Sequence, residues 1–207
     1  NLMQKIVIID YGSGNLLSVK NALNYIGFEC IISNDKKIIS NSDILILPGV
    51  GSFYNSMLKL NKTGLADIIK ENINIKKKKI LGICLGMQLL ASLGTEDKKI
   101  NGLSFVDGEV ISLKNLTNFK LPHIGFNRVL YDKNSVLFKG LGDKTFFYFI
   151  HSFFLKSQSK RFRFSYCEYG KKFISSFEFE NIFGTQFHPE KSQKNGLKVL
   201  ENFIKYD

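Results

Sequence analysis

Lys79-Ile-Leu-Gly-Ile-Cys-Leu-Gly-Met-Gln-Leu-Leu90 is the stretch from which the rest of the chain can be read. A short apolar run, Ile80 to Ile83, stops at Cys84, which Gly82 and Gly86 bracket, and an apolar helical pattern follows. Apolar strand, glycine-flanked nucleophile-type residue and helix make the layout of a nucleophile elbow, with cysteine where hydrolases carry serine. So tight a turn needs small residues on either side. At a helix N-terminus the sulfur meets a partial positive charge that favours thiolate over thiol. Taken alone, the stretch reads equally well as a buried core cysteine at a strand end, since free Cys is among the most buried residue types.

Upstream, Lys5 to Ile9 is a β-branched run fit for a strand buried on both faces, and Asp10 to Asn15 is turn chemistry. Leu16, Val19, Leu23 and Ile26 follow at helical spacing, with Gly27 where a C-terminal cap belongs. Gly12-Ser13-Gly14 lacks the third glycine of a dinucleotide fingerprint, because Leu17 stands in its place. Phe28 to Ile32 and Asp43 to Leu47 are further strands, and Phe53 to Leu60 and Leu65 to Ile75 are helical segments. Four strand–helix alternations predict an α/β fold, an open and mostly parallel sheet with flanking helices of the flavodoxin-like kind. Ligands gather outside the carboxyl ends of such strands, where Asp10, the Pro48 to Ser52 loop and Cys84 all fall.

From Leu103 to Phe187 the pattern changes to short aromatic and β-branched runs: Ser104 to Leu113, Gly125 to Tyr131, Phe146 to Leu155, Phe162 to Cys167, Phe173 to Phe179 and Ile182 to Phe187. These predict antiparallel strands in the C-terminal half, added to the sheet or forming a smaller one, with hairpin turns at Gly170 and Asn181. A helix from Gly196 to Tyr206 closes the chain. One domain over residues 1–207 is expected, long enough to bury about 70% of its unfolded surface. Asn1 and Leu2 precede Met3 and read as extraneous to a native start.

Apolar residues at 44% and charged residues at 23% are ordinary for a globular protein, and no apolar run nears the roughly 20 residues that span a bilayer. No charged-then-apolar leader is visible at the N-terminus. Three widely spaced cysteines, Cys30, Cys84 and Cys167, argue against a disulfide framework and for a reducing, cytoplasmic setting. Three histidines and no CxxC pair leave no metal site to expect. The net charge of +11 is spread over lysines in loop-like positions with no nucleic-acid motif, so neither nucleic acid nor membrane is the expected partner.

Thr185-Gln-Phe-His-Pro-Glu-Lys191 is the second informative stretch. In an extended chain His188 and Glu190 project to one side, and Pro189 biases the residue before it to extended geometry. A carboxylate so placed accepts the imidazole Nδ1–H and stabilises the imidazolium, leaving the ring to serve a thiol as general base and then as acid. A solvent-exposed turn with a surface His–Glu pair is the plainer reading. With Cys84 on the same sheet, the three residues follow the logic of a cysteine triad. The Leu85 N–H is one candidate oxyanion donor, and the Gly49-Val50-Gly51 loop can supply a second. Its glycines would let the Gly49–Val50 peptide rotate on activation.

Gly82 to Gln88 together with Gly184 to Glu190 resembles the class I (triad-type) glutamine amidotransferases. Within them, Ile9-Asp-Tyr-Gly-Ser-Gly-Asn-Leu16, Pro48-Gly-Val-Gly51, Pro122-His-Ile-Gly-Phe-Asn127 and Tyr148-Phe-Ile-His-Ser152 resemble one branch, the glutaminase subunits of imidazole glycerol phosphate synthase (HisH). The likeness runs from residue 4 to residue 204.

The resemblance implies that Cys84 forms a γ-glutamyl thioester from glutamine, with His188 and Glu190 completing the triad and no cofactor. It implies a glutamine site at Gly49, Val50, Gly51, Leu85, Gln88, His151, Ser152 and Phe153. It also implies a heterodimer with a (β/α)₈ cyclase subunit (HisF), which takes the ammonia, and a docking face around Pro122, Gly125, Phe126, Asn127 and Tyr148. The branch usually has Gly-Trp-Asn where this chain has Gly125-Phe126-Asn127, which loses an indole N–H donor. Paralogues that feed ammonia to a sugar amidotransferase in surface-glycan synthesis are the alternative, as is a non-catalytic regulatory subunit on the same fold.

Overall fold

The computed structural model describes residues 4–143 and 145–206; Asn1 and Leu2 lie outside the described residues. In chain order the elements are β1 (Ile6–Ile9), α1 (Leu16–Tyr25), β2 (Cys30–Ser33), α2 (Lys36–Ser40), β3 (Ile44–Gly49), α3 (Phe53–Thr63) and α4 (Leu65–Lys70), which runs on as a π-helical turn over Glu71–Ile75. The elbow is β4 (Lys79–Cys84) followed by α5 (Leu85–Leu89). Then come β5 (Ala91–Gly94), β6 (Ile100–Asn101), β7 (Val106–Ser112), β8 (His123–Leu130), β9 (Phe146–His151), β10 (Phe153–Lys156), β11 (Arg163–Tyr169), β12 (Lys171–Phe179), β13 (Ile182–Thr185) and α6 (Gln193–Lys205).

Nine strands form one sheet in the order β2-β1-β3-β4-β13-β12-β11-β8-β9. From β2 to β13 neighbours run parallel, and from β13 to β9 they run antiparallel. A smaller sheet, β10-β7-β5-β6, packs beside it, so the antiparallel runs both extend the main sheet and build a second one. Alternation along the parallel strands sends side chains to two cores. Val7, Ile9, Leu45 and Leu47 meet α3, α4 and the small sheet on one face. On the other, Ile6, Ile8, Ile44 and Ile46 meet α1, α6 and the phenylalanines Phe183, Phe187 and Phe203.

Several boundaries depart from the sequence expectation, each for a local reason. The apolar run after Cys84 is helical for only five residues, Leu85–Leu89, before the chain enters the small sheet at Ala91. Phe146 to Leu155 is two strands in different sheets, parted at Ser152, where the chain changes layer. The closing helix starts at Gln193, since Gly196 lies inside it so that the helix can pass close to the Pro189 carbonyl. The short elements α2, β5 and β6 carry too few residues for a period to be legible. Hairpin turns do fall at Gly170, with φ +73°, and at Glu180-Asn181.

Candidate active site

Cys84 ends β4 with φ 55° and ψ −112°, a strained positive-φ conformation held by the close packing around it. A Cβ on Gly86 would lie 1.6 Å from the Leu47 carbonyl oxygen, and one on Gly82 would lie 2.7 Å from the Gly86 backbone. Only glycines allow α5 to turn back this tightly over β3 and β4. The thiol points towards the Ile150 carbonyl at 3.8 Å, and the Gln186 side-chain amide donates to the sulfur at 3.7 Å.

His188 and Glu190 follow the carboxyl end of β13, which lies beside β4 in register Thr185↔Ile83. His188 is extended, with φ −93° and ψ 98°, as the following proline requires. Glu190, however, sits in a 3₁₀ turn over Pro189–Lys191, so this part of the segment is a turn and not a strand. The carboxylate still meets the imidazole, with Nδ1 2.7 Å from Oε1. The pair is buried, which overturns the plainer reading of a surface pair.

Burial by itself would push the His188 pKa down. The Cys84 sulfur and then the Glu190 carboxylate more than offset it and raise the imidazole to about 10. Even so, His188 Nε2 and Glu190 Oε2 are buried without a well-directed hydrogen bond.

One strand, β9, braces both halves of the site. The His188 N–H donates to the Tyr148 carbonyl at 2.9 Å, and two residues further on the Ile150 carbonyl faces the Cys84 thiol.

A cavity of about 590 Å³ opens at these strand ends. Cys84 lies on its wall with Val50, Gly51, Leu85, Gln88, His151, Ser152 and Phe153, so seven of the eight residues expected to hold glutamine face one space. Gly49 is the exception. It is the last residue of β3, registered beside Cys84 and pressed against the Tyr11 hydroxyl, where a Cβ would lie 2.2 Å away. Pro122, expected on the docking face, lines the same cavity. The Gln88 amide nitrogen donates to the Phe153 carbonyl and to Gln186 Oε1, both at 3.0 Å.

The other docking residues lie on the β8–β9 hairpin. Phe126 is half exposed and meets Tyr148 edge-on, with centroids 5.6 Å apart, in register across the two strands. Ile124, Phe146 and Ile150 are exposed on the same hairpin, an apolar surface beside the cavity. Gly125 and Asn127 alternate with them, and Asn127 turns inward.

Five residues of the site were not singled out from sequence. Asn15 donates from its side-chain amide to Glu190 Oε1. The Ser13 hydroxyl accepts from the Val50 N–H at 2.9 Å and donates to the Val50 carbonyl at 3.1 Å. Gln186 bridges Gln88 and the sulfur. Glu96 and Asp97 bring carboxylates to the cavity wall. Glu96 accepts from the Phe53 N–H at 2.9 Å, and burial pushes its carboxyl above the usual range. Ser13, Asn15 and Gln186 sit inside motifs quoted for other reasons, so a signal was present. Nothing in a lone Thr-Glu-Asp segment marks Glu96.

Among the described residues no group of His, Cys, Asp and Glu could hold a metal ion, and no helix is long and apolar enough to cross a membrane.

The family model of glutamine amidotransferase class-I matches residues 7–206. The chain is 45% identical over 200 residues to imidazole glycerol phosphate synthase subunit HisH 1 of Campylobacter jejuni (strain RM1221), covering 97% of this chain and 99% of that one. It is 45% identical over 198 residues to subunit HisH of Aquifex aeolicus, covering 95% and 94%. Among solved structures, PurLQS from Thermotoga maritima superposes with a TM-score of 0.74 at 19% identity, covering 99% of both chains. Another glutamine amidotransferase superposes with a TM-score of 0.76 at 16% identity, covering 96% of this chain and 97% of that one. These last two likenesses speak for the fold. With the strand order and the elbow in place, the chain belongs to the class-I glutamine amidotransferases, among the HisH subunits of imidazole glycerol phosphate synthase.

Proposed function

We propose that this chain, as one amidotransferase domain, hydrolyses L-glutamine and passes the ammonia to a cyclase subunit, HisF, in a heterodimer that makes imidazole glycerol phosphate. The observation that carries the reading is Cys84 on the cavity wall, with the buried His188–Glu190 pair behind it and under the influence of its sulfur. Identity of 45% to HisH subunits favours the histidine branch over the sugar-pathway paralogues.

The Cys84 thiolate attacks the side-chain amide carbon of glutamine. The tetrahedral oxyanion takes a hydrogen bond from the Leu85 N–H. His188, held as imidazolium by Glu190, gives its proton to the departing nitrogen, which leaves as ammonia with the thioester behind it. The neutral ring then takes a proton from water as it attacks the thioester, and glutamate departs with the thiolate restored. Glu96 and Asp97 give the cavity the negative charge that suits an α-ammonium group, and Gln88 and Phe153 line the same cavity.

The second oxyanion donor is not ready. The Val50 N–H is taken by Ser13, so the resting subunit holds one donor of the two. Turning this peptide towards the cavity would complete the hole, and a partner seated on the apolar β8–β9 face, whose Ile150 lines the same cavity as Val50, would drive it. Loss of one oxyanion donor costs roughly 100- to 1,000-fold in kcat.

The test is glutamate release by the subunit alone and with the cyclase and its ribonucleotide ligand. We expect a slow basal rate and stimulation of at least about a hundredfold. Cys84→Ala should abolish the glutamine-dependent reaction of the complex and spare the ammonia-dependent one. No stimulation by the cyclase, or glutamine turnover by the Cys84→Ala protein, would refute the reading.

A further inference from the structure

His123 and His151 form a buried pair that the triad chemistry does not use. They stand in register across β8 and β9, with His123 Nδ1 2.9 Å from His151 Nε2. Their protons can be placed from either end. At one end, His151 Nδ1 lies 2.8 Å from the Phe153 carbonyl oxygen, which only accepts. His151 must therefore carry its proton on Nδ1 and accept at Nε2.

At the other end the orientation of Asn127 is fixed by backbone. Its Oδ1 accepts from the Arg128 N–H at 2.8 Å, and its Nδ2 donates to the Glu168 carbonyl at 2.9 Å. The amide nitrogen thus faces His123 Nε2, 3.4 Å away, and that nitrogen must accept. His123 then carries its proton on Nδ1 and donates it to His151. Both ends give the same answer.

We propose that His123 is a positioning residue for glutamine binding, acting through His151 to hold the Phe153 carbonyl that forms a wall of the cavity. The inference rests on the glutaminase reading. The Phe153 carbonyl receives the His151 proton on one side and the Gln88 amide on the other. Gln88 continues to Gln186, and Gln186 to the Cys84 sulfur. The pair thus ties the inner side of the β8–β9 hairpin to the cavity wall by directed bonds that admit one proton arrangement. Burial keeps both rings neutral, holding His123 at about 4 and His151 at about 3. Tyr169 and Phe149 stack on His123, so packing fixes its ring plane.

Two substitutions separate positioning from packing. His123→Phe keeps the stacked ring and removes the Nδ1–H donor. His123→Asn loses the stack but places an amide nitrogen near the Nδ1 position. In the complex with the cyclase, His123→Phe should raise KM for glutamine about tenfold and change kcat less than about threefold. His123→Asn should bring KM back to within about threefold of the parent. Both variants should co-elute with the cyclase as the parent does, which shows that fold and docking are intact. An unchanged KM in His123→Phe would overturn the proposal, as would equal KM defects in the two variants.

A second measurement needs no variant and no turnover. Nitrogen-15 spectra of the unsubstituted protein should show both rings neutral and protonated on Nδ1. Either ring found as the Nε2–H tautomer would overturn the proposal even if the glutaminase assay succeeds. The same spectra stand if the glutaminase reading fails, so the two failures are distinguishable.

Discussion

The Ser13 hydroxyl holds both polar groups of Val50, accepting from its N–H at 2.9 Å and donating to its carbonyl at 3.1 Å. The two residues belong to loops after β1 and β3, adjacent strands whose carboxyl ends face the cavity. A single side chain thus keeps a candidate oxyanion donor out of use. Ser13→Ala should raise the basal glutaminase rate of the isolated subunit several-fold, because each hydrogen bond holding the resting peptide is worth about 1 kcal/mol. The rate of the full complex should stay within about twofold, so the stimulation factor shrinks. Glutamate release with and without cyclase measures both.

Asn15 supports the triad from the same β1–α1 loop, through its amide on Glu190. Its φ of 74° makes glycine the substitution that leaves the backbone unstrained. Asn15→Gly should lower kcat roughly tenfold with little change in KM, the expected loss for one hydrogen bond to a charged group. Asn15→Asp should be worse, since it sets a second carboxylate against Glu190. Steady-state kinetics of the complex separates the two.

Gly86→Ala tests the elbow itself. A Cβ there overlaps the Leu47 carbonyl, and β3 is central in the sheet and has little room to retreat. The cost should be about 3 kcal/mol or more. For a chain of this size that lowers Tm by roughly 10 °C, readable by calorimetry.

The buried histidines give a pH dependence with a definite sign. Their folded pKa values, about 4 for His123 and about 3 for His151, lie below the 6.5 of an exposed histidine. The unfolded chain therefore binds protons first as pH falls. The stability held above pH 6.5 should be lost progressively between about 6.5 and 3. His188, raised to about 10, acts with the opposite sign, but mainly above pH 6.5. Tm should therefore fall from pH 6.5 to pH 5, and the slope should be shallower in His123→Asn, which removes one of the two depressed groups. Thermal melts across that range decide it.

Much of this was legible in the sequence because the elbow and the parallel strands leave local marks. Glycine spacing fixed the place of Cys84, and β-branched runs ending in turn residues placed Asp10, Gly49 and Cys84 at one end of the sheet. The residues that leave no local mark act through contacts between segments far apart in the chain. Asn15 meets Glu190, Ser13 meets Val50, and Gln186 meets Gln88, and none of these pairings has a period. The His188–Glu190 bond forms in a 3₁₀ turn rather than along a strand, so the one-sided projection of an extended chain is not what brings the carboxylate to the ring. The split of Phe146 to Leu155 was hidden for a related reason. Both pieces have strand composition, and only the change of layer at Ser152 separates them.

The outer border of the large sheet is β9, and the segment after β13 lies along it. The Tyr148 N–H is taken by the Ser192 hydroxyl, the Tyr148 carbonyl by His188, and the Phe146 carbonyl by Asn195. Exposed edge strands invite pairing with other molecules and aggregation. Here the strip that bears the His188 imidazole is also a guard against strand addition. Damage to residues 188–195 should therefore appear as insoluble protein as well as lost turnover, and low yield in such variants would report an uncovered sheet border.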